Sequence, residues 1–175
     1  MGIGAGNKRG IAVLPEVDDE LIVGFENDDI QRGYVLGGLW NPTDKAPTPQ
    51  GEAVVGGQTE IREWKTRAGH VIRFNDTSGQ EKIEILDKTH KNSVTIGSAK
   101  NTVTILADKD IILKAPMGNI ELEANNIKMK ATTGLEAKGV TGKLEASTSL
   151  QLKGAMTELV ASGMAKISGA TVMIN

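Results

Sequence analysis

The chain has 175 residues, enough for one domain or two small ones, and its formal net charge of −2 excludes a global pull toward nucleic acid or an anionic membrane. It has no cysteine, which excludes disulfides and cysteine-ligated zinc and gives no reason to expect folding in an oxidising compartment. Hydrophobic residues make up 39% and aromatics only 3%, a poor composition for a conventional packed globule but one that suits a narrow rod. No signal peptide or membrane-spanning run is read, so the expected compartment at synthesis is the cytoplasm.

The first ten residues, MGIGAGNKRG, are flexible by composition. Their spaced glycines do not make a dinucleotide loop, because no strand precedes them and no helix follows. Ile11 to Leu14 reads as a short strand ending at Pro15. An acidic turn, residues 16–20, leads into Leu21–Glu26, where alternation puts Leu21, Val23 and Phe25 on one face. Asn27-Asp28-Asp29 is a turn. The segment 34–40 is a strand broken by Gly37-Gly38, as at a bulge or barrel bend. Short strands with glycine kinks point to a small β-barrel. From Asn41 to Gly57, Pro42, Pro47 and Pro49 mark a linker or long loop, and no helix is predicted anywhere. Strand patterning resumes at 60–65 and 70–74. A turn at Asp76–Gly79 and a return strand at 80–86 follow, and Val94, Ile96, Val103 and Ile105 carry the pattern onward.

From Val103 to Asn175 the sequence becomes one β-like phrase after another: IILKA, IELEA, IKMKA, LEAKG, KLEAS, LQLKG. Ile120, Leu122 and Ala124 alternate with Glu121 and Glu123, and Ile127 and Met129 with Lys128 and Lys130, so each set occupies one face of a strand. The period averages a little under eight residues, about five of strand and three of corner. Predicted corners fall at 108–110, 116–119, 125–126, 132–134, 147–149 and 162–163. No aromatic residue follows Phe74, which implies an interior too narrow for a ring. Two architectures fit: a single chain with about three octads per coil, or three chains interleaving their strands around one axis. The single-chain form leaves bare strand edges at both ends, whereas interleaving pairs nearly all of them. The trimer is the favoured reading.

The stretches LPEVDDELIVGFEN (14–27) and YVLGGLWN (34–41), followed by KAP, resemble the OB-fold segment of the VgrG and phage baseplate spike family. TRAGHVIRFNDTSGQEKIEILDK (66–88) and NSVTI (92–96) are similar to that family's neck, and the ending SGATVMIN to the C-terminus of versions from extracellular contractile injection systems. The resemblance implies an all-β homotrimer: a partial OB-fold barrel and loop (1–57), a β neck (58–102) and an intertwined triple-stranded β-helix needle (103–175). It further implies inner-tube and baseplate-hub partners on the N-terminal side and a PAAR-like tip protein at the C-terminal apex. The particle would be extracellular or secreted and would touch the target membrane transiently. The large N-terminal docking domains of the family and the lysozyme module of some phage spikes are absent from these residues, and the chain enters the OB-fold partway.

Enzymatic readings find little support. His70 begins an alternating strand and His90 sits in a Lys-rich turn; neither lies in a metal-ligand pattern, so no catalytic residue, metal site or cofactor is expected. The cluster Asp18, Asp19, Glu20, Glu26, Asp28 and Asp29 lacks calcium-loop register and reads as a solvated turn face. Nucleic-acid binding would need a basic groove with stacking aromatics, but the barrel half is acidic and Trp40 and Trp64 are expected to be packed. The one site expectation is the end of the chain: Thr171, Val172, Met173, Ile174 and Asn175 form an uncapped apolar terminus, the docking point of the tip protein. The alternative function is a tail-fibre-like module whose barrel binds a sugar or nucleic acid and whose β-prism is only a stalk.

Overall fold

The structure, a computed structural model, describes residues 2–173 and divides into two units, residues 1–120 and 121–175. Its regular secondary structure is mostly β with little helix, as expected, and all of the strands lie before residue 107 among the described residues.

The first unit begins with an antiparallel hairpin of β1 (Gly2–Gly6) and β2 (Arg9–Ala12). The glycine-rich start is therefore a strand, contrary to the expectation of flexibility: backbone hydrogen bonding to Arg9–Ala12 offsets the conformational freedom of its glycines. A second hairpin joins β3 (Leu21–Glu26) to β4 (Asp29–Gly38) through Asn27-Asp28, both at positive φ (49° and 60°), the two-residue turn whose twist matches the strands. The register slips between Ile22 and Val23, with Leu36 the extra residue opposite, so the bulge lies beside the predicted glycine pair. Gly33 faces Phe25, and a Cβ there would come within 3.2 Å of Val23 and 3.3 Å of Phe25; glycine lets both side chains lie across the strand. No ladder joins the two hairpins among the described residues, so the expected partial barrel stands here as separate hairpins.

Residues 41–60 are more structured than their proline content implies. Asn41 Oδ1 accepts the amides of Thr43 and Asp44, and its Nδ2 donates to Glu20 at 2.7 Å. A four-residue helix, α1 (Gln50–Ala53), follows Pro49. Next comes a small hairpin of β5 (Val54–Val55) and β6 (Gln58–Thr59), turned by Gly56-Gly57. Pro49 sets the φ that begins the helical turn, which is why a helix appears where none was expected.

The largest element is a five-stranded antiparallel meander, order β11-β10-β9-β8-β7. It comprises β7 (Ile61–Lys65), β8 (Val71–Asn75), β9 (Lys82–Leu86), β10 (Ser93–Gly97) and β11 (Thr102–Leu106), with a short 3₁₀ turn at Ser98–Lys100. Two rows cross all five strands on one face: Trp64, Ile72, Ile85, Val94 and Ile105, then Arg62, Phe74, Ile83, Ile96 and Val103. The other face is mostly polar, with Glu63, Arg73, Glu84, Thr95 and Thr104 in one row. Among the described residues Val71, 3% exposed, is the one buried apolar side chain.

From residue 107 no further strand ladder forms among the described residues. Bends do recur, at 108–109, 116–118, 125, 132–133, 140–141, 147–148, 155–156, 162–163 and 170. Each of the six predicted corners coincides with one. From 125 onward the first bend residues follow one another at alternating intervals of seven and eight, so the real unit is a fifteen-residue pair of phrases. The residue before each bend is Ala124, Ala131, Gly139, Ala146, Gly154, Ala161 and Gly169 in turn, so each eight-residue phrase from 132 on ends in glycine. A Cβ at Gly154 would clash with the carbonyl oxygen two residues on at 2.9 Å and one at Gly139 would be tight at 3.2 Å, whereas at Gly169 the same approach, 3.4 Å, is ordinary contact.

Candidate interaction surfaces

The polar face of the five-stranded sheet is covered by its own chain around Glu63, while Thr102 and Thr104 at its far edge are exposed. Arg73 donates through Nε (2.9 Å) and Nη2 (2.8 Å) to Glu63 Oε2, its cross-strand partner, while Thr48 from the 41–60 segment donates to Glu63 Oε1. The Glu63 side chain is only 4% exposed. Burial alone would raise its pKa, but the hydrogen bonds from Thr48 and Arg73, with the charges of Arg73 and Lys65, hold the carboxyl below its ordinary value. On the same face Lys82 pairs with Glu84 at 2.9 Å. These groups are mutually satisfied and structural, and sequence reading passed over them. The available signal was the opposite charge of Glu63 and Arg73 at facing positions of a hairpin.

The histidines and the acidic cluster, read as non-catalytic surface and turn residues, serve local structure. His70 Nδ1 accepts the backbone N–H of Lys88 at 3.2 Å, and His90 occupies a turn at φ 58°; each serves local structure. Asp19 Oδ2 accepts the Glu16 amide, Asp29 Oδ1 accepts the Gln31 amide, and Glu26 takes bonds from Arg32 and Tyr34, so much of the acidic cluster consists of turn and hairpin fasteners. Among the described residues no three His, Cys, Asp or Glu side chains gather as a metal would require. The turn 87–92 is organised by Asp87, which accepts the Asn92 amide and the Thr89 hydroxyl; these bonds push its carboxyl far below the usual range. Trp40 and Trp64, expected to be packed, are instead 73% and 56% exposed.

In the second unit the apolar side of each phrase is open. Ile127 is 51% exposed, Leu135 70% and Leu152 64%, although alternation sets them opposite the charged residues. Lys143 and Glu145, two apart, form an ion pair on one side of their phrase with Leu144 between them in sequence, the geometry of a period-two strand without its neighbours. Of the expected tip residues, Thr171, Val172 and Met173 are exposed; Ile174 and Asn175 lie outside the described residues.

The whole chain exposes 16816 Å². A folded monomer of this mass exposes about 8,000 Å². The surplus is several times what one partner contributes to a standard interface, about 800 Å². Such a surface leaves the apolar faces of this β-rich chain largely open to solvent. Comparison with known families finds a match in the N-terminal part. Residues 1–40 match the model of the type VI secretion system/phage-baseplate injector OB domain, which spans both N-terminal hairpins and supports the baseplate spike family without singling out a member. No helix among the described residues is long and apolar enough to cross a membrane.

Proposed function

We propose that this chain is one strand set of a trimeric, non-enzymatic spike at the tip of a contractile injection apparatus. The observation that carries the reading is the run 121–173: bends every seven or eight residues, alternating apolar and charged positions, and no ladder partner for the segments between them. Backbone amides and carbonyls in such segments need partners. Three identical chains interleaved around one axis supply them while leaving few edges and burying the Ile, Leu and Ala side of every phrase. The baseplate OB-domain match at residues 1–40 supports the location of the assembly, in a particle that is secreted or extracellular when it acts.

Mechanically, a rod in which every strand is bonded to strands of other chains resists bending, because yielding requires many hydrogen bonds to break together. That property suits transmission of a contracting sheath's thrust to an envelope and needs no covalent chemistry. The N-terminal hairpins would face the tube and hub, and Thr171–Asn175 would seat a PAAR-like tip protein.

Native mass spectrometry tests the reading. A species of three times 18.5 kDa that persists on dilution is expected, since intertwined chains have no stable folded monomer. A well-folded monomer overturns it. For the tip, deletion of 172–175 should abolish capture of a PAAR-like protein while the trimer persists; undiminished capture removes that part of the proposal.

A further inference from the structure

We infer that the apolar face of the five-stranded sheet is a second self-association surface, seated against the same face of other copies of this chain. The sheet is covered on the wrong side for a protein that folds alone. Its polar face, with Glu63, Arg73 and Glu84, receives the 41–60 segment through Thr48, while its apolar face is largely exposed. Trp64 is 56% exposed, Phe74 45%, Ile85 52% and Val103 68%. At the end of the sheet bearing the 87–92 turn an open trough of about 530 Å³ is lined by Trp64, Ile72, Ile85 and Ile105 together with Val71 and the turn residue Asp87.

The occupant is argued from size and charge. Nine apolar side chains exposed to this degree present on the order of 800 Å², the contribution of one partner to a standard interface and above what soluble monomers leave open. Within the two rows the one charge is Arg62, at the edge strand, and it is neutralised by Asp76 at 2.6 Å. A neutral apolar face can meet an identical face without like-charge repulsion, whereas a charged headgroup layer or an acidic or basic partner finds nothing there to pair with.

The inference rests on the proposed assembly of several copies but does not require residues 121–173 to interleave. The chain lacks cysteine, so single-cysteine variants of the full chain report on it directly. Ile85→Cys and, as the milder change, Val94→Cys are treated with a short bismaleimide crosslinker, with Thr104→Cys on the polar face as comparison. Expected is a covalent dimer as the main product of Ile85→Cys and Val94→Cys, and at least fivefold less from Thr104→Cys. Equal labelling of all three by a water-soluble maleimide with no crosslink, while the native mass stays oligomeric, overturns this inference and spares the spike. Protection at Ile85→Cys and Val94→Cys without crosslinking also overturns it, since something other than the same face then covers them. A monomeric native mass overturns both.

Discussion

Two parts of this chain obey the same period-two rule with opposite results. In residues 61–106 every strand finds its neighbour a turn away, and five strands close a meander through local hairpins. In residues 121–173 equally regular phrases find no neighbour in their own chain. The difference lies in the corners. Four- to six-residue connections, fastened by groups such as Asp87 and Asn75, reverse the chain so that consecutive strands lie antiparallel. The bends of the repeat are as short as the hairpin turns at Asn27-Asp28 and Gly56-Gly57, but among the described residues none takes the positive φ that those turns use, so no phrase folds back beside its predecessor. Turn conformation, not turn length, decides whether an alternating sequence pairs with itself.

The largest expected effect comes from putting charge on the inner side of the repeat. In the proposed trimer Ile127→Glu would bury an unpaired carboxylate in each chain, at about 3–5 kcal/mol per chain. The native trimer should be lost by mass measurement. Val140, at a bend and fully exposed, is the contrasting site: Val140→Glu should change stability by no more than about 0.5 kcal/mol. Equal effects at the two positions would mean that the phrases have no inner side.

Next is the self-contained sheet. Arg73→Ala leaves the Glu63 carboxylate covered with only Thr48 and solvent-poor surroundings. Because Arg73 is itself partly exposed, the cost should be about 2–3 kcal/mol rather than the full penalty of a deeply buried pair. A urea midpoint measured at fixed protein concentration reads it. The destabilisation should appear even in conditions where the repeat is held together, because the contact is made within one chain.

Much of this contrast was legible in advance. Strands at 61–106, the turn at Asn27-Asp28 and the corners from 108 to 163 follow from alternation and turn residues, which act over two to four positions. What escaped is non-local or averaged away. The β1–β2 hairpin was hidden because glycine's preference for disorder outweighs any local strand signal. The 41–60 segment looked like a linker because its order comes from Asn41 binding Glu20 and Thr48 binding Glu63, contacts 21 and 15 residues apart. The alternation of seven and eight was blurred into an average just under eight, although the glycines at 139, 154 and 169 carry it in plain view. Exposure of Trp40 and Trp64 was illegible for another reason: apolar patterning says that a side chain wants cover, not whose chain supplies it.

Those glycines give the next effect. Gly154→Ala places a methyl 2.9 Å from the Met156 carbonyl oxygen, a backbone atom that moves only by distorting the bend, so a cost of about 1–3 kcal/mol per chain is expected. Ala146→Gly, at the seven-residue partner bend, costs only glycine's entropy, about 0.5–1 kcal/mol. Thermal midpoints of the two variants should therefore differ in that order. Reversal would mean that the fifteen-residue pairing is accidental.

The smallest effect is the acid limb of stability, and it sharpens the comparison because the depressed carboxyls belong to the chain's self-folded part. Asp87, Glu63 and Glu81 all have folded pKa values below their unfolded ones: Asp87 through the Asn92 amide and Thr89, Glu81 through backbone amides, and Glu63 because its hydrogen bonds outweigh its burial. A depressed carboxyl binds its proton more weakly folded than unfolded. Its contribution is therefore complete above the unfolded value, about 4, and is lost as pH falls through the lower folded value. Between pH 7 and 5 stability should be flat with respect to these groups, and below about pH 4 amide exchange should quicken first in the 87–92 turn and the sheet strands beside it. Asp87→Asn should weaken that turn at pH 7 and flatten its pH dependence below 4. A variant whose exchange in the turn still accelerates with acid as the parent's does would show that Asp87 is not the group being titrated.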